Sequence, residues 1–326
     1  AQTITGGDGA DTIIGAGGAD SLTGGAGDDT IKFANSTDFG AAAKVIGGAG
    51  TGDIVEITTA STDIEDADFA NVTTVETLKL TGVSSAVLGN AAKAAANAGT
   101  LTVATGAGAT TITGANDIAL NVDAATLADD VALTLADNNT GSNFVVTNLQ
   151  GNLATTTLAG TLKVTTKDAD GDTITIATGH GATTVNLAAS AAGSTVTTIE
   201  ADDLVDGVKL DINEADGAAG TLNITGLEGD LDLTNATSGA ITVTLDNVAG
   251  DGLAITGSSN AATDVSLTGG HTSDTVTVSA MAGNLIATGT LSSIISVTGT
   301  SAAQTITGGD GADTITGAGG ADSLTG

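Results

Sequence analysis

The chain has 326 residues, and 38 acids against 7 lysines and no arginine give it a formal charge of −31. That balance excludes a nucleic-acid binder working through phosphate contacts, the lack of cysteine excludes disulfides and thiolate metal sites, and no run of 18 apolar residues exists to make a membrane-spanning helix. At 40% hydrophobic but with four Phe as its only aromatics, the chain must fold around a thin core of Val, Ile, Leu, Ala and Thr, whose short β-branched runs favour strands.

Three nonapeptides open the chain. Gly6-Gly7-Asp8-Gly9-Ala10-Asp11-Thr12-Ile13-Ile14 fits G-G-x-G-x-D-x-U-x, with U a large apolar residue, and Gly24–Lys32 fits equally. Gly15–Thr23 departs only at its second position, and Gly47–Asp53 is a degenerate copy with one extra residue. Residues 1–24 recur at 303–326 with 23 of 24 positions identical, an offset of 302. Such a repeat predicts a segment of a longer tandem array.

Glycine at the first, second and fourth positions lets the chain turn and leaves backbone carbonyls uncovered. Two nonapeptides make one coil, so residues 18 apart stack, which places Asp11 below Asp29 and Gln2 below Asp20. Ile4, Ile13, Leu22 and Ile31 then point inward. At a strand spacing of about 4.8 Å, stacked carboxylates repel by about 1–3 kcal/mol, and a dication reverses the sign. Calcium fits better than magnesium, because it accepts about 6–8 oxygens from carboxylates and carbonyls in irregular geometry.

These stretches resemble the RTX (repeats-in-toxin) nonapeptides of secreted bacterial proteins. The resemblance covers residues 1–32 and 303–326. It implies Ca²⁺ as the bound cofactor, held by Gly7, Gly9, Asp11, Gly18, Asp20, Gly25, Gly27 and Asp29, and again by Gly309, Gly311, Asp313 and Asp322. The partner coil of Asp313 and Asp322 is expected beyond residue 326. Asp53 is a weaker candidate, and Asp168, Asp170 and Asp172 form either an ion loop or a solvated turn, since Thr173 and Gly179 exclude an EF-hand.

Further along, Thr37–Ile46 reads as a helical turn or two, and Ser84–Gly99 as a short capped helix. The acidic loop Asp63–Asp68 precedes a strand at Val75–Leu80. From residue 100 to 302 the glycine signature fades, yet apolar–polar alternation continues in short strands such as Leu101–Val103, Leu133–Leu135, Ile174–Ile176, Leu222–Ile224 and Val276–Val278. A β-sandwich would also give regular strands. The unbroken spacing and thin core favour an all-β, right-handed parallel β-helix (β-solenoid) with RTX β-roll turns, about fifteen coils and a helical insertion near 84–99. Three segments are expected: an RTX β-roll over 1–58, a continuous solenoid over 59–302, and the next RTX β-roll from 303 to 326.

His180 and His271 lie beside glycines outside any catalytic motif, so no enzyme is expected. Two functional readings follow from the resemblance. One is a calcium-stabilised structural repeat of an extracellular surface protein, exported by type I secretion and assembling with copies of itself into a surface layer, sheath or filament. The other is the repeat region of a secreted adhesin, toxin or protease. The expected partners are calcium and further copies of the chain, with no nucleic acid and no membrane span; a cell-surface glycan is left open.

Overall fold

Period-two alternation buries every second side chain of most strands, as in Thr12–Gly15, Thr30–Phe33 and Leu162–Thr166. The computed structural model describes the chain apart from residues 43, 60–62, 97–98, 139–140, 168–172, 189–195, 216–219, 238, 251 and 288–292. The described residues form two compact units, Ala1–Thr161 and Leu162–Gly326. Each is a parallel β-solenoid in which every strand pairs with strands two places away in sequence.

In the first unit one sheet runs through Thr12–Gly15, Thr30–Phe33, Ile54–Ile57, Thr77–Leu80, Leu101–Ala104, Ala119–Asp123 and Asn143–Leu149. Register stacks Ile13, Ile31, Val55, Leu78, Val103, Val122 and Val146 into one buried column. Facing strands begin with Thr3–Thr5, Ser21–Gly25, Lys44–Gly48 and Val72–Thr73. In the second unit, Ile176, Ile199, Ile224, Val243, Leu267 and Ala287 form an equivalent column. Each fully buried Val, Leu or Ile contributes about 1.5–3 kcal/mol, so aliphatic columns hold coils together without aromatics.

The coil period is 18 where nonapeptides run, as in Thr12↔Thr30 and Thr305↔Ser323, and lengthens elsewhere, as in Ala119↔Asn143. The solenoid expected from the strand pattern is therefore present in both units.

The helical expectations need correction. Helix Ser36–Gly40 is capped by Asn35, whose Oδ1 accepts from Asp38 N at 2.8 Å, but Lys44–Gly48 is a strand. Ser85–Leu88 is also a strand, because Ala86 and Leu88 point into the core and the segment pairs with Thr110–Gly114. Among the described residues of 84–99, Asn90–Ala95 is the helical part. Ser84 does not cap it. Asp66, from an earlier turn, accepts from Gly89 N, Ala91 N and Ala92 N at 2.7–3.1 Å. Three of the four Phe gather beside these excursions: the Phe39 ring lies tilted 5.4 Å from Phe33 and edge-on 5.2 Å from Phe69.

Candidate metal centre

Each nonapeptide Asp stands immediately before a strand, and all but Asp11 accept there from a backbone amide of the coil below. Asp29 Oδ1 accepts from Asp11 N at 2.8 Å, and Asp20 Oδ1 accepts from Gln2 N at 2.6 Å. The stacking expected from an 18-residue coil is thus realised for both pairs. The carboxylates do not face one another as a simple bridge. One oxygen of each closes the neighbouring strand, and the other oxygen of Asp29 lies against Gly24.

That second oxygen carries the argument. Asp20 and Asp29 are 1% exposed, yet Oδ2 of each has no hydrogen-bond partner among the described residues. Asp313 Oδ2 is likewise buried and unpartnered. A buried carboxylate oxygen without a donor is costly, so these Oδ2 atoms call for a cation. Asp11 differs, because its Oδ2 accepts from Gly7 N at 2.6 Å.

Glycine carbonyls surround the same loops. Gly9, Gly18 and Gly27, all at the fourth position, have φ of 108°, 115° and 111°, a region closed to most residues. A Cβ on Gly25 would strike Gly7 O, one on Gly27 would lie 2.8 Å from Gly9 O, and one on Gly24 would strike both Gly47 O and Asp29 Oδ2. A Cβ on Gly6 would meet Gly24 O and Asp11 Oδ2 in the same way. Glycine therefore keeps open a cradle lined by carbonyl and carboxylate oxygens.

At the other end, Asp313 Oδ1 accepts from Ile295 N at 3.0 Å and Asp322 Oδ1 from Gln304 N at 3.1 Å. Both therefore bond the preceding coil through a backbone amide, as Asp29 and Asp20 do. Asp313 Oδ2 and Asp322 Oδ2 lie against Gly308 and Gly317. Gly309 and Gly311 sit in the same turn as Asp313, where a Cβ on Gly311 would strike Ser293 O.

Residues 1–31 and 298–326 match the RTX calcium-binding nonapeptide repeat, in four copies. Both ends of this chain are RTX repeats. No curated protein and no solved structure matches the chain. The RTX match implies a calcium-binding repeat region, and the residues present fit the ion: the donors are all oxygen, a buried carboxylate atom is unpaired, and the cradle is open. Among the described residues no group of three or more His, Cys, Asp or Glu could hold a metal, so backbone carbonyls must supply most of the shell. Calcium, when bound, supplies the positive charge that these loops lack.

Asp53 continues the RTX ladder, because its Oδ1 accepts from Asp29 N at 2.8 Å. It is 1% exposed; burial first, then the Glu76, Asp29 and Asp28 carboxylates, push its pKa above the usual Asp value despite the Asp29 amide. Glu76 follows, with Oε2 accepting from Asp53 N at 2.8 Å. Sequence reading missed Glu76. The signal was an acid followed by Thr and a large aliphatic, as in Asp11-Thr12-Ile13, Asp29-Thr30-Ile31 and Glu76-Thr77-Leu78.

On the outer face of the same strands, Glu56 lies 2.9 Å from Lys32 Nζ and 3.1 Å from Lys79 Nζ, and accepts from Thr81 Oγ1 at 2.8 Å. Burial alone would raise its pKa, but these donors outweigh it and hold the group at about 2. Here lysine does what a metal would do. Asp168, Asp170 and Asp172 lie outside the described residues.

Proposed function

We propose that the chain is a structural repeat of an extracellular bacterial surface protein, whose RTX coils are set by calcium and which assembles with copies of itself into a surface layer, sheath or filament. The observation that supports this most is the same feature at both ends. The nonapeptides at each end place a buried, unpartnered aspartate oxygen against a glycine, Asp29 Oδ2 at Gly24 and Asp313 Oδ2 at Gly308. In calcium-poor cytosol the −31 chain repels itself, which favours export as an unfolded chain by type I secretion. Outside the cell, calcium removes the penalty at each loop and the coils close. Among the described residues no helix is long and apolar enough to cross a membrane.

The reading includes no catalysis. His271 Nδ1 pairs with Ser273 Oγ at 2.8 Å, and its backbone N–H donates to Asp274 at 2.6 Å, which suits a turn-forming residue.

Circular dichroism and light scattering across a calcium titration test the proposal. β-structure and particle mass should both rise from the EGTA state. A chain that gains structure but stays monomeric overturns assembly and leaves the repeat region of a secreted adhesin, toxin or protease. A chain indifferent to calcium overturns the whole reading.

A further inference from the structure

We propose that the first unit holds a further calcium site beyond its three regular nonapeptides, built from Asp53, Glu76 and the Thr74 and Gly47 backbone. This inference rests on the calcium reading of the RTX coils.

Three successive rungs share one arrangement. A Cβ on Gly6 would meet Gly24 O and Asp11 Oδ2; on Gly24, Gly47 O and Asp29 Oδ2; on Gly47, Thr74 O and Asp53 Oδ2. The third rung lies outside the matched residues 1–31. Its oxygen is as isolated as that of Asp29: Asp53 is 1% exposed and its Oδ2 has no hydrogen-bond partner among the described residues. Glu76 Oε1 is buried and unpartnered as well.

Thr74 adds an independent sign. It stands where the nonapeptide rungs have glycine carbonyls, and it adopts φ of 53°, a strained value for a β-branched residue. Its hydroxyl accepts from Gly48 N at 2.9 Å, which fixes the turn that presents Thr74 O to the cradle.

A neutral version of this cradle exists in the second unit. A Cβ on Gly299 would meet Gln304 Oε1, with Gly317 O at 3.1 Å. Gln304 Nε2 donates to Met281 O and to Thr300 Oγ1, and its Oε1 accepts from Thr300 N. An amide satisfies the loop from within, whereas Asp53 and Glu76 bring two charges and leave an oxygen of each unpaired. The rung is therefore built for an external cation. Glu76 ends the ladder, because the next residue in register is Leu101.

The test counts calcium ions on the full chain by equilibrium dialysis, for wild type, Asp53→Asn, Glu76→Gln and Asp313→Asn. Glu76→Gln keeps an acceptor for Asp53 N–H and should still fold. Asp53→Asn and Glu76→Gln should each bind one ion fewer. Amide exchange over 44–80 should lose its calcium-dependent protection, while 303–326 retains it. Unchanged ion count and unchanged protection in both variants, with a drop only for Asp313→Asn, overturn this site alone. No drop in any variant overturns the calcium reading with it.

Discussion

Asp29 and Asp137 are buried to the same degree, 1% and 0% exposed, in coils of the same unit, and they are stabilised in opposite ways. Asp137 Oδ2 accepts from Gly141 N, Ala159 N and Gly160 N at 2.9–3.2 Å. Asp29 receives one amide on Oδ1 and nothing on Oδ2, and its loop offers carbonyls rather than N–H groups. Hydrogen bonds to a charged group contribute about 1.5–3 kcal/mol each, so three of them can hold a carboxylate in place. Asp274 follows the Asp137 pattern, accepting from Gly250 N at 3.0 Å and His271 N at 2.6 Å. The lesson is that burial of an acid does not by itself mark a metal site. What marks it is whether the surrounding backbone presents donors or acceptors.

Chelation separates the two kinds of coil most strongly. At free calcium of 100 times Kd each ion stabilises by about 2.7 kcal/mol, and several are removed together. Amide exchange in EGTA should accelerate by orders of magnitude in 1–57 and 303–326, and stay slow in 101–136 and 221–267. Equal loss everywhere would erase the distinction.

Asp137→Ala should cost about 3 kcal/mol or more, because it leaves three amides without their acceptor. Denaturant melts should show the same loss with and without calcium. A loss that appears only with calcium would make Asp137 a ligand.

Glu56→Gln should cost about 2 kcal/mol near neutral pH, after discounting for the part-exposed lysines. The folded pKa of Glu56, about 2, lies below its ordinary 4.5. The wild-type advantage should therefore be complete above pH 4.5 and fade as pH falls towards 2. A pH-independent difference between the two proteins would argue against the lysine pairing.

Asp53 gives the smallest effect, of opposite sign. Its folded pKa lies above 3.8, so in EGTA the fold takes up this proton before the unfolded chain does. Stability of the calcium-free protein should rise as pH falls towards 3.8, and Asp53→Asn should abolish that rise. Melts in EGTA across this pH range would show it.

The sequence alone was enough for the β-solenoid, the inward Ile13, Leu22 and Ile31, and the stacking of Asp11 under Asp29, because all depend on a nine-residue motif and a period of two. Glu76, the Asp66 cap of Asn90–Ala95 and the neutral Gln304 cradle needed the tertiary structure. The physical reason is coil length. The ladder joins residues 18 apart from Asp11 to Asp29, then 24 apart to Asp53 and 23 apart to Glu76. Once helix Ser36–Gly40 lengthens the coil, no fixed period links one rung to the next. Which carboxylate oxygen is left without a donor depends on backbone groups a full coil away, and only the folded chain brings those together.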